Sequence, residues 1–138
     1  MHPRLQIIII CAICILIIVS YGTFRCHHKE FRDPLTSSIF SHDQKSSFFD
    51  GWGILHFTFF FGLAYTFPRH AVFLFILGVL WEVVESLMKD HPFYLSKCDA
   101  ADALNTDGSS AWWYGRWQDI VMNSFGMLLG YSLTKIKT

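Results

Sequence analysis

The sequence predicts an all-α integral membrane bundle of four transmembrane helices, and three observations predict it. Four apolar runs of near membrane-crossing length are separated by polar segments. The composition is 52% hydrophobic and only 16% charged, where a soluble domain carries about a quarter charged residues. A chain of 138 residues forms one small domain, too small to hide that much apolar surface within itself. Finally, Trp52, Trp112, Trp113 and Trp117 fall near the ends of the runs, where amphipathic rings favour the headgroup zone. Trp81 lies inside a run and is expected to pack between helices.

The first run spans about Leu5 to Phe24, includes Ile7-Ile8-Ile9-Ile10 and holds no charge. At ~1.5 Å per residue it crosses a ~30 Å hydrocarbon layer. Its length and the lack of an Ala-x-Ala site favour a retained helix over a cleaved signal peptide. Residues Arg25 to Phe49 form a polar loop with Pro34 and several serines, with room for a short interfacial helix. The second run, about Asp50 to Phe67, carries His56, and Pro68-Arg69 makes a tight turn. The third, about His70 to Met88, carries Glu82 and Glu85 in its second half. A polar loop from Lys89 to about Tyr114 includes the turn sequence Asn105-Thr106-Asp107-Gly108. The fourth run, about Gly115 to Leu133, has Asp119 and Asn123 near its start, and a short basic tail follows. The chain thus divides into 1–49, an N-terminal transmembrane helix and polar loop, and 50–138, a three-helix membrane core with a polar loop at about 89–114. Barrel strands would alternate apolar and polar residues, whereas these runs are apolar on every face.

Four spans put both termini and the Pro68-Arg69 turn on one side, with Arg4, Arg69, Lys135 and Lys137. The other side holds Arg25, Lys29, Arg32, Lys45, Lys89, Lys97 and Arg116. This count favours cytoplasmic placement of the two larger loops, but their many acids and the length of the larger one leave orientation unassigned. Equal numbers of basic and acidic residues, 11 of each, give no electrostatic footprint for nucleic acid. No phosphate loop or His-Glu-x-x-His string is present. Cys11 and Cys14 read as small hydrophobes within the first run. Cys26 and Cys98 lie in polar loops, as a disulfide in an oxidising compartment or as two free thiols.

Five polar residues lie within or near the apolar runs: His56, Glu82, Glu85, Asp119 and Asn123. A charge at the bilayer centre costs roughly 2.5–3.5 kcal/mol on insertion scales, so such residues face other helices or water. Glu82 and Glu85 are three apart and Asp119 and Asn123 four apart, so each pair shares a helical face. All five fall within about two turns of the large-loop ends of their runs. At ~5.4 Å per turn that is one layer, roughly 5–12 Å below one membrane surface. Antiparallel packing would gather them around a small polar pocket. The ligand-binding candidates are His56, Glu82, Glu85, Asp119 and Asn123. His56, Glu82, Glu85 and Asp119 are also the catalytic and metal-ligating candidates. A histidine with two or three carboxylates suits a divalent cation, passes protons, or serves as an acid–base pair on a lipid headgroup. The competing structural roles are snorkelling for the glutamates, helix capping for Asp119 and interhelical bonding for Asn123. Gly126 and Gly130 form a small-xxx-small pattern suited to close helix packing within the chain.

The order of these motifs carries a resemblance. Leu55-His56-Phe57, then Trp81-Glu82-Val83-Val84-Glu85-Ser86, then Asp119-Ile120-Val121-Met122-Asn123-Ser124-Phe125-Gly126 resembles an uncharacterised family of small bacterial multi-pass membrane proteins, a domain of unknown function. Through its last motif the chain resembles, more loosely, the VanZ-like membrane proteins. The resemblance covers about Asp50 to Leu133 and does not extend to the pattern of the 89–114 loop. It implies a helical membrane protein and no established reaction.

Three readings follow and stay open, so the sequence assigns no enzyme class. The first is a multi-pass membrane protein with a polar intramembrane site for a lipid headgroup, a proton or a cation. The second is a membrane enzyme acting on a lipid headgroup by acid–base or metal-assisted chemistry, with or without a divalent cation as cofactor. The third is a structural subunit packed against protein partners in a larger membrane complex.

Overall fold

The computed structural model describes residues 2–28, 35, 50–90 and 115–136. Among these the chain is helical throughout, without a strand. Helix α1 spans Pro3–His27, α2 Gly51–Thr66, α3 Ala71–Asp90 and α4 Trp117–Ile136, and a single 3-10 turn, Pro68–His70, joins α2 to α3. The helices extend one to three residues beyond the apolar runs at several ends, because a run ends where hydrophobicity ends and a helix ends where its backbone bonds do. Proline opens both α1 and the 3-10 turn, where its missing N–H has no helical partner to lose. Asp50 starts α2 by capping: its Oδ1 accepts from the Gly53 backbone N–H at 2.7 Å. The Cys26–Cys98 pairing, the loop at 89–114, Trp112 and Trp113 lie outside the described residues.

Two helical segments, Pro3–Arg25 and Pro68–Met88, are long and apolar enough to cross a membrane. The sequence expectation of four such spans is therefore met in part, and the reasons are local. Helix α2 has 16 residues, about 24 Å of rise against a ~30 Å layer, being bounded by the Asp50 cap and Pro68. Helix α4 is long enough, with 20 residues, but Gln118, Asp119, Asn123 and Ser124 lower its hydropathy.

Successive helices run antiparallel, so α2 and α4 run parallel to one another, and these two make the most extensive contact. Their packing is written in glycine. A Cβ on Gly126 would overlap the Phe57 carbonyl oxygen, and one on Gly130 the Phe61 carbonyl oxygen. Hydrogen at these two positions lets the α4 backbone rest directly on that of α2. Gly62, in contrast, has nothing within 4 Å of its Cβ position. A small apolar cluster of Ile7, Phe60, Leu63, Ala64, Leu74 and Met127 ties all four helices together near the end that holds the 3-10 turn. Helix α1 adds an edge contact of Tyr21 on Trp52, with centroids 6.0 Å apart, and Arg4 over the Phe73 ring at 5.9 Å.

Polarity is distributed the opposite way from a water-soluble domain. Leu16, Val72 and Leu128 are 66%, 76% and 63% exposed, while Arg25, Asp50, Glu82, Arg116, Asp119 and Asn123 are buried. Water-soluble proteins almost never bury charged side chains completely unless they are paired, so the interior polar groups call for an account of their partners.

Candidate functional site

The buried polar groups sit where α2 and α4 begin and α3 approaches its end. Arg116, the residue before α4, links the three helices. Its guanidinium Nη1 is ion-paired with Asp50 Oδ2 at the start of α2. Its backbone N–H donates to Glu82 Oε2 of α3 at 2.9 Å. Its Nε lies 3.7 Å from Asp119 Oδ2, an ion-pair separation too long for a hydrogen bond. Glu82 thus meets the N-terminal end of α4, where unpaired backbone N–H groups and the helix dipole favour a negative charge. Gly115 permits this approach, since a Cβ there would overlap the Glu82 carbonyl oxygen and Ser86 Oγ.

His56 supplies the second link. Its Nδ1 is 3.0 Å from Asn123 Oδ1, a hydrogen bond across the α2–α4 interface, and 3.7 Å from Glu82 Oε1. One ligand atom each from His56, Glu82 and Asp119 all lie within 4.8 Å of one another. Three helices therefore bring an imidazole and two carboxylates to one point.

The five residues singled out by sequence do not behave alike. Glu82 is 3% exposed, Asp119 4% and Asn123 3%, so snorkelling does not describe Glu82. Asp119 lies in the first turn of α4, with Arg116 and not Asp119 preceding the helix. Asn123 makes the interhelical bond expected of such a residue and at the same time holds the His56 ring. Glu85 departs from the expectation. It lies within electrostatic range of Glu82 and Asp119 and stands outside the triplet of converging ligand atoms. A three-residue step rotates a side chain by about 60° from the one before it, enough to turn Glu85 aside.

Asp50, Gly115 and Arg116 are the residues that sequence reasoning passed over. Asp50 read as the edge of a run, and Arg116 as one more loop charge in the topology count. A signal was present: an acid directly before Gly-Trp-Gly-Ile-Leu is an N-cap pattern, and Arg116 precedes Asp119 by three residues, a spacing at which opposite charges meet.

The satisfaction of these groups is incomplete. Glu82 Oε1, Asp119 Oδ1 and Asn123 Nδ2 are buried without a hydrogen-bond partner among the described residues. A buried polar atom left unpaired costs about 1–3 kcal/mol, more when charged, so each of the three calls for an explanation. Comparison with protein families, with curated proteins and with solved structures returns no match for this chain.

Proposed function

We propose that the chain is a multi-pass integral membrane protein whose α2–α3–α4 unit carries a polar ligand site within the apolar layer. The observation that carries this reading is the convergence of buried His56, Glu82 and Asp119 beneath helix surfaces that expose large apolar side chains. Lipid solvates such surfaces and water does not. The short α2 fits the reading by its position: it lies against α4 along its length, and local thinning of the bilayer accommodates a span below the average thickness. Trp52 and Trp117, in the first turns of two parallel helices, lie toward the same end of the unit, where a headgroup boundary suits them. Membrane lipid is the immediate partner, and the motif order that resembles the small bacterial membrane family falls within this same unit. We carry membership of that family as part of the proposal.

A second reading, acid–base chemistry on a lipid headgroup, draws on the 3.7 Å approach of His56 Nδ1 to Glu82 Oε1. An imidazole and a carboxylate at that distance form a proton-transfer pair once a substrate or water joins them. Loss of lipid turnover in a folded Glu82→Gln chain separates this reading from simple binding.

The test of the membrane reading is topological. Single cysteines at Arg69 and Lys135, in a chain whose native cysteines are serine, are expected to react with an impermeant maleimide from one side of the membrane. Native Cys26 and Cys98 are expected to react from the other, both or neither. Labelling of Cys26 and Cys98 from opposite sides, or release of the chain by alkaline carbonate, overturns it.

A further inference from the structure

We propose that His56, Glu82 and Asp119, with Asn123 as a fourth donor, form a binding centre for one divalent metal ion of the zinc or manganese class. The inference rests on the reading of the α2–α3–α4 unit as a ligand site and names its ligand.

Three observations carry it. The first is geometric. Donors about 2.1 Å from a shared ion stand ~3.0 Å apart on an octahedron and ~3.4 Å apart on a tetrahedron. His56 Nδ1 is 3.0 Å from Asn123 Oδ1 and 3.7 Å from Glu82 Oε1, and the His56, Glu82 and Asp119 ligand atoms span no more than 4.8 Å. Opposed donors on an octahedron are ~4.2 Å apart, so a contraction of roughly half an ångström closes an octahedral set, and one of about 1.4 Å a tetrahedral set.

The second observation is the pair of orphaned oxygens. Glu82 Oε1 and Asp119 Oδ1 have no hydrogen-bond partner among the described residues, on side chains more than nine-tenths buried. The other oxygen of each carboxylate is engaged by Arg116, through its backbone N–H for Glu82 and its Nε for Asp119. Each carboxylate is held by one oxygen and presents the other. An ion-ligating carboxylate takes this arrangement, with the outer contact fixing the orientation of the ligating atom.

The third is charge. Among the described residues Asp50, Glu82 and Asp119 are the buried acids, and Arg116 is paired with Asp50 and Asp119. Carboxylates at this depth are costly to leave uncompensated, and a divalent ion between Glu82 and Asp119 offsets that cost. One imidazole nitrogen with carboxylate and amide oxygens is a donor set of intermediate hardness, suited to zinc or manganese more than to copper(I) or an iron–sulfur cluster. Coordination through Nδ1 requires the imidazole proton on Nε2, so metal entry exchanges the His56–Asn123 hydrogen bond for two bonds to one ion.

The experiment uses the full chain in lipid nanodiscs, stripped with chelator and titrated with Zn²⁺ or Mn²⁺ alone. The expected result is saturable binding of one ion per chain, with affinity reduced at least tenfold in His56→Gln, Glu82→Gln and Asp119→Asn and unchanged in a chain lacking His27 and His28. X-ray absorption of the zinc-loaded wild-type chain, which needs no variant to fold, is expected to show one imidazole among oxygen donors. Binding that survives in all three site variants, or a shell containing thiolate or several imidazoles, overturns the centre. Absence of saturable metal from a chain whose labelling pattern has four spans overturns the centre and leaves the membrane reading in place. Loss of metal in the site variants of a chain that carbonate releases supports the centre and overturns the membrane reading.

Discussion

Helix α1 and the α2–α4 pair are both apolar helical segments, yet they solve opposite problems. Helix α1 meets the rest of the chain through a few side chains, Ile7, Cys11 and Tyr21 among them, and leaves Ile13, Leu16 and Ile17 exposed. Nothing along its middle demands a particular neighbour. Helices α2 and α4 touch backbone to backbone through Gly126 and Gly130 and bury charged groups at their shared end. In the membrane reading proposed above, hydrophobicity brings a helix to the bilayer without telling it where to pack. Small residues and polar pairs supply that information. Stability should therefore be concentrated in the pair and nearly absent from the middle of α1.

The most severe way to break this contrast is at Arg116. Replacing it with Met strips Asp50 of its ion pair and leaves the carboxylates uncompensated, a loss of about 3–5 kcal/mol for a buried pair broken on one side. Thermal unfolding of the purified chain in nanodiscs is expected to show a large fall in Tm. Gly126→Leu comes next. Overpacking against the Phe57 carbonyl is expected to cost about 1–3 kcal/mol or more, whereas Gly62→Leu on the open face of α2 leaves the Tm near wild type. Equal effects at the two glycines would erase the proposed interface.

Smaller still is the His56–Asn123 bond. Interhelical hydrogen bonds in membranes average about 0.6 kcal/mol in double-mutant cycles, and the cycle through His56→Phe, Asn123→Leu and the double variant is expected to give a coupling of that size. Zero coupling would place the two side chains out of contact. Smallest is Leu16→Ala in α1, expected within about 0.5 kcal/mol of wild type. A loss comparable to that at Gly126 would show that α1 is held as firmly as the pair.

The helices and their ends were largely legible in the sequence because apolar runs and prolines act locally. Residues 119 and 123 were legible as a shared face, and Gly126-Gly130 as a packing motif, because helical periodicity alone places them. Glu85 was drawn in by the same reasoning and contributes no atom to the converging triplet, since spacing fixes a face only to within a turn's width. Arg116 and Asp50 were illegible for a different reason. A charge at the edge of an apolar run reads as a headgroup or loop residue until tertiary packing folds that edge inward. Gly115 is meaningful only beside the Glu82 carbonyl, which is 33 positions away in sequence. The shortness of α2 and the modest hydropathy of α4 share this origin, since the residues that build the polar cluster and its caps interrupt the apolar runs.

The central claim is that imidazole and carboxylates from separate helices meet in the interior of the membrane unit. The direct measurement is a carbon–nitrogen dipolar recoupling experiment by solid-state NMR on the wild-type chain in bilayers, with ¹⁵N in the His56 ring and ¹³C in the Glu82 and Asp119 carboxyls. The account predicts strong dephasing of the Glu82 carboxyl carbon, as required by a 3.7 Å separation of Nδ1 from Oε1, and measurable dephasing at Asp119. Carboxyl signals that the His56 nitrogens leave unaffected would contradict it.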